Sequence, residues 1–143
     1  MVSSWTRCAL GLGIALGVAS CAKHALPEGG LLKHFEDIDC GDDWNDESFA
    51  PEVFRSVDGN TTKLLVRHPH GCGYELAVNP SAELDGQVLR LDYDRTMDDS
   101  DGEVAACICE YRVRFDIETP PLPITKVTFD GETARLREGS SFP

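Results

Sequence analysis

Along most of the chain, hydrophobic residues recur at every second position, in short runs bounded by glycine, proline, asparagine or aspartate. The clearest run is EYRVRFDIE at 110–118, where Tyr111, Val113, Phe115 and Ile117 alternate with Arg112, Arg114, Asp116 and Glu118. Side chains two apart on a strand share a face, so this run predicts a strand with one apolar and one charged side. PEVFRSVDGNTTKLLVRH predicts two strands around the turn Asp58-Gly59-Asn60. CGYELAVN places Tyr74, Leu76 and Val78 on one face and is expected to stop at Asn79-Pro80. After an expected loop, SAELDG, the run QVLRLDYD sets Leu89, Leu91 and Tyr93 against Arg90 and Asp92. A proline-rich bend, TPPLP, precedes a last pair, ITKVTF and TARLRE, that turns tightly around Asp130-Gly131. The helical period is scarcely visible. The pattern predicts an all-β domain over 34–138, a small antiparallel β-sandwich, with a half-open barrel as the alternative architecture and 139–143 as a loose tail.

The N-terminus follows a different pattern. Arg7 precedes an uncharged, apolar stretch rich in glycine and alanine that ends at Ser20. Its apolar segment, 8–18, is about half of the roughly 20 residues a membrane-spanning helix needs, so 1–20 reads as a removable export signal. The quartet Val18-Ala19-Ser20-Cys21 resembles the lipobox of bacterial lipoproteins. That resemblance implies acylation of Cys21, which becomes the new N-terminus. Two or three acyl chains anchor a protein stably where one does not. Ala22 in place of an aspartate implies the outer membrane wherever the cell has two membranes. Residues 21–33, with Pro27, Gly29 and Gly30, then form the lipidated cysteine and a short tether. Ordinary signal cleavage, leaving a soluble exported protein, is the alternative.

Removing the signal leaves about 123 of the 143 residues, enough for one domain with a modest core. It takes away one of 13 basic residues and none of the 25 acidic ones, so the mature charge is about −13. Such a charge excludes a nucleic-acid partner and discourages electrostatic binding to anionic headgroups. Of six cysteines, Cys8 leaves with the signal and Cys21 is acylated, and the remaining Cys40, Cys72, Cys107 and Cys109 predict two disulfides in an exported chain.

By parity Cys107 and Cys109 both continue the inward series of Tyr111 and Val113, and Cys72 is inward with Tyr74. Bonding Cys107 to Cys109 is disfavoured, because an extended strand holds Cα atoms two residues apart at roughly 6.5 Å with parallel side chains. Cys72 therefore pairs with one of the two and Cys40 with the other, the choice between them staying open. A second reading of the same residues joins His68, His70 and Cys72 with Cys107 and Cys109 as a nitrogen-and-sulfur site for Zn²⁺ or Cu⁺. The acidic stretches at 36–47 and 92–103 read as solvated loops between strands, with a loose calcium site as the alternative given their oxygen density; the second resembles an EF-hand loop, but Met97 and Ile108 at its first and last ligand positions reject that motif. No phosphate loop, dinucleotide fingerprint or nucleophile elbow is present, and no spacing singles out a catalytic acid and base. His68 and His70 read as polar residues at a strand end.

With the strands placed, LVRHPHGCGYELAV and CICEYRVRFDI resemble an uncharacterised group of exported bacterial lipoproteins with a C-x-C motif, over about 40–127. In that group a histidine and then a cysteine open one strand, and C-x-C followed by an aromatic residue opens a later one. Where the group often has paired cysteines, this chain has Cys72-Gly73. The resemblance implies a β-sandwich attached to the cell envelope and no activity. The expectation is a monomeric, non-enzymatic envelope lipoprotein that needs no cofactor or metal and contacts another envelope protein or the wall. A metal-binding module and, after it, a small hydrolase are the alternatives.

Overall fold

The computed structural model describes residues 30–44, 48–71, 74–97 and 107–139. It contains eight strands, β1 (Leu32–Asp43), β2 (Glu52–Asp58), β3 (Thr61–Gly71), β4 (Tyr74–Asp85), β5 (Val88–Met97), β6 (Ile108–Glu118), β7 (Lys126–Phe129) and β8 (Glu132–Glu138). They form one sheet in the order β1-β6-β3-β2-β8-β7-β5-β4. The all-β expectation holds. The sheet curls until β3 and β6 lie over β5, giving a sandwich-like, nearly closed barrel with the alternating hydrophobic residues inside.

That interior is built by parity. Val53 on β2, Leu64 and Val66 on β3, Leu89 and Leu91 on β5, Val113, Phe115 and Ile117 on β6, and Val127 on β7 are all but fully buried. Leu64 lies level with Phe115 and Val66 with Val113 across the β3–β6 ladder, so each inward residue packs beside another. Burying a side chain of this kind stabilises the fold by about 1.5–3 kcal/mol, which makes this shared face the main source of stability.

Several local expectations are corrected. The sheet is mixed: the β7–β8 hairpin lies between β2 and β5, and the β2–β8 and β5–β7 pairings are parallel. Alternation fixes which face is buried and carries no signal for the direction of the neighbouring strand. Asn79-Pro80 does not end a strand, because β4 continues through it and through most of SAELDG to Asp85. Asn79 takes the left-handed conformation at φ 51° and the register shifts between Val78 and Ser81, so the pair makes a bulge on an edge strand. Among the described side chains of β4, Ala77 and Pro80 are buried and Val78 is half-buried, in keeping with the shifted register. Most of the first acidic stretch is not a loop but the edge strand β1, which begins at Leu32, inside the segment expected to be tether. The tight turn at Asp130-Gly131 is present, with φ of 50° and 75°.

The two end strands, β1 and β4, approach without any backbone ladder between them among the described residues. The Asp37 carboxylate on β1 spans this seam. One oxygen accepts the Ala77 N–H of β4 at 2.9 Å, and the other accepts the Tyr111 hydroxyl of β6 at 2.7 Å.

Candidate functional site

β1 enters the barrel at the level of Ile117 and Thr62 and leaves it at the level of Cys109 and His70. These two ends are separated by about 26 Å at 3.3 Å per strand residue. At the far end the interior becomes polar and aromatic. His68 and His70 continue the inward series of Thr62, Leu64 and Val66 on β3, and both are buried. Tyr93 of β5 and Tyr111 of β6 complete the layer, with the His70 and Tyr111 rings edge to face at 5.3 Å and the His68 and Phe129 ring centres 4.7 Å apart.

The hydrogen bonds of His68 fix its tautomer. Nδ1 faces the Pro69 carbonyl oxygen at 3.2 Å, and a carbonyl can only accept, so Nδ1 carries the proton. Nε2 then accepts the Tyr93 hydroxyl at 2.8 Å. Burial, reinforced by the Arg95 charge, holds the His68 imidazolium pKa down at about 3. Burial and Arg95 likewise lower His70 to about 4, with Asp130 opposing. Burial raises the Tyr93 phenol to about 12 and pushes Tyr111 higher still, the latter helped by its bond to Asp37. At neutral pH all four rings are uncharged, and the layer is a fixed, neutral floor.

A cleft of about 300 Å³ opens above that floor. His68 and Phe129 form its base, and Phe49, Pro51 and Pro69 form an apolar rim. Arg95, Asp130 and Glu132 stand at its mouth. Arg95 donates to Asp130 at 3.0 Å and lies 5.5 Å from the centre of the Tyr93 ring. Pro69 is tolerated in β3 because β2 pairs only as far as Arg67, so no ladder bond to β2 is lost there.

Cys40 and Cys109 are disulfide-bonded across β1 and β6, with Cα atoms 5.8 Å apart. The bond lies at the same end of the barrel as the cleft. Cys107 is disulfide-bonded as well, to a partner outside the described residues. Cys72 is also outside them, as are Cys21 and residues 1–20, the segment read from the sequence as an export signal. Cys109 is inward, as its parity requires, but Cys107 is exposed, because it precedes the first residue of β6 and strand alternation does not reach it. The mixed metal site is therefore not assembled as expected: the sulfurs of Cys107 and Cys109 are consumed in disulfides, and His68 spends both ring nitrogens on protein partners.

The outer face carries a second polar cluster. Glu52 of β2 is buried between Arg67 of β3 and Arg137 of β8, with Arg67 Nε at 2.6 Å and Arg137 Nη2 at 2.9 Å from its oxygens. Arg135 Nε lies 3.3 Å away. Burial alone would raise the Glu52 carboxyl, but the Arg137 and Arg67 hydrogen bonds outweigh it and the pKa is lowered. This cluster ties together β2, β3 and β8, including one of the parallel pairings.

Sequence reading places His68 and His70 at a strand end and passes over Asp37, Arg95 and Phe49. The parity of His68 and His70 with Leu64 and Val66 is the signal that identifies the histidines as inward. Asp37 and Arg95 act through the way three distant strands meet, which no local pattern encodes. No protein family, curated protein or solved structure matches the chain.

Proposed function

We propose that the chain is a lipid-anchored protein of the bacterial cell envelope, tethered at Cys21 to the outer membrane where the cell has two membranes. Its disulfide-stabilised β domain is a non-catalytic binding module for another envelope protein or the wall. The observation that carries the reading is the position of the cleft. It opens at the end of the barrel opposite the one where β1 begins, and β1 is the strand that follows the tether from Cys21. A domain held by that tether presents the cleft away from the bilayer.

Two features favour binding over catalysis. Both nitrogens of His68 are engaged, and with its pKa near 3 it is a poor proton acceptor at neutral pH. The cysteines closest to the cleft are oxidised, so none supplies a thiolate nucleophile. A Cys21→Ala variant tests the anchor: the protein is expected to move from the membrane fraction to the soluble envelope fraction, and an unchanged membrane fraction contradicts it.

A further inference from the structure

The cleft's chemistry points to its occupant. Resting on the reading of this cleft as a binding site, we propose that it takes an organic cation, an ammonium or guanidinium group carried on a short apolar stem. Three observations carry the inference.

The first is charge. The Arg95 guanidinium at the mouth is matched by Asp130 at 3.0 Å, whereas Glu132 beside them makes no ion pair among the described residues. The unbalanced charge at the cleft is therefore negative, on a chain whose formal net charge is −12. A field of that sign concentrates cations and repels anions.

The second is the rim. Phe49 is 52% exposed, and its backbone sits in the left-handed region at φ 51°. Asn79 and Asp130 share that conformation for evident reasons, a bulge and a hairpin turn. For a bulky aromatic residue it is an outlier, and residues held this way cluster at ligand clamps. The result is an open aromatic ring lining the same cleft as a carboxylate, a combination that attracts alkylammonium and guanidinium groups. Pro51 and Pro69 add a rigid apolar wall for the stem.

The third is the floor. His68 and Tyr93 satisfy each other and are neutral, so the base offers neither a positive charge to repel a cation nor a free donor to hold an anion. A volume of about 300 Å³ suits one side-chain-sized group.

The test uses the full chain, extracted from membranes into neutral detergent and labelled with ¹⁵N. Benzylammonium, the blocked peptide acetyl-Gly-Arg-Gly-amide, and benzoate are titrated separately while the amide resonances of Phe49, Asp130 and Glu132 are followed. The cations are expected to shift these resonances saturably and benzoate is not. Glu132→Gln, at the exposed start of β8, is expected to weaken cation binding by about fivefold, the scale of one exposed charge pair. Phe49→Gly keeps the left-handed backbone, removes the ring, and is expected to weaken it further. Tighter binding of the peptide assigns the cation to a polypeptide partner, and tighter binding of benzylammonium assigns it to a free amine. Saturable binding of benzoate but of neither cation overturns the inference while leaving a binding cleft. Binding of none of the three overturns both.

Discussion

Asp37 on β1 accepts the backbone N–H of Ala77 on β4 at 2.9 Å, and this side chain joins the two edges of the sheet where, among the described residues, no backbone ladder does. The same carboxylate accepts the Tyr111 hydroxyl, so one residue fixes both the seam and the orientation of a ring in the polar layer. Asp37→Ala leaves an N–H and a buried hydroxyl without their acceptor, a loss of about 2 kcal/mol. Hydrogen exchange of the Ala77 amide is expected to accelerate far more than that of the β3–β6 ladder. Equal acceleration throughout would show that the seam is held by something else.

The polar layer makes the fold sensitive to acid. His68 and His70 are held neutral at about 3 and 4, below the ordinary value of 6.5, so the unfolded chain binds protons that the folded chain refuses. Their contribution to stability is complete above pH 6.5 and falls as the pH drops from 6.5 toward 4 and 3. By pH 5 the loss is about 2 kcal/mol for each histidine. Urea unfolding at pH 7 and pH 5 measures the total, and the imidazole resonances of both residues are expected to stay in the neutral form across that interval in the folded protein. Titration of either near pH 6.5 would remove the basis of the prediction.

Glu52 on the outer face gathers three arginines, and its loss leaves their charges facing one another. Glu52→Gln is expected to destabilise the fold by about 3 kcal/mol, in the range for breaking a buried pair. High salt should recover part of this by screening the arginines. A change below about 0.5 kcal/mol in the unfolding free energy from urea titration would mean that the arginines find other partners.

The disulfide between Cys40 and Cys109 links residues 69 apart in sequence. In the chain-entropy view, closing a loop of that length contributes about 4 kcal/mol. The double variant Cys40→Ser, Cys109→Ser is expected to lose most of that stability. Non-reducing peptide mapping is expected to recover Cys40 linked to Cys109, and Cys107 linked to Cys72. A linked Cys107–Cys109 peptide would contradict the pairing.

Legibility in the sequence followed the range of the interactions. The β6 alternation from Tyr111 to Ile117 gave the core face directly, because strand parity is local. Extended-strand geometry also disfavoured a Cys107–Cys109 bond and left two pairings, between which only the juxtaposition of β1 and β6 decides. The charged strand β1 was not visible: Glu36, Asp37, Asp39 and Asp43 read as a solvated loop, since an edge strand needs few apolar residues and charges there protect it from pairing with other chains. The parallel insertion of β7 and β8 left no local trace. The cleft was invisible for a related reason, as Phe49, His68, Arg95 and Glu132 come from four separate segments that meet only when the sheet curls.

The intact mass of the membrane-extracted protein, taken before and after reduction, tests the account most directly. The account predicts a chain lacking residues 1–20, carrying the added mass of acyl chains at Cys21, and gaining about four hydrogens on reduction for the bonds at Cys40–Cys109 and Cys107. Retention of the first 20 residues without acyl mass, or no gain on reduction, would contradict it.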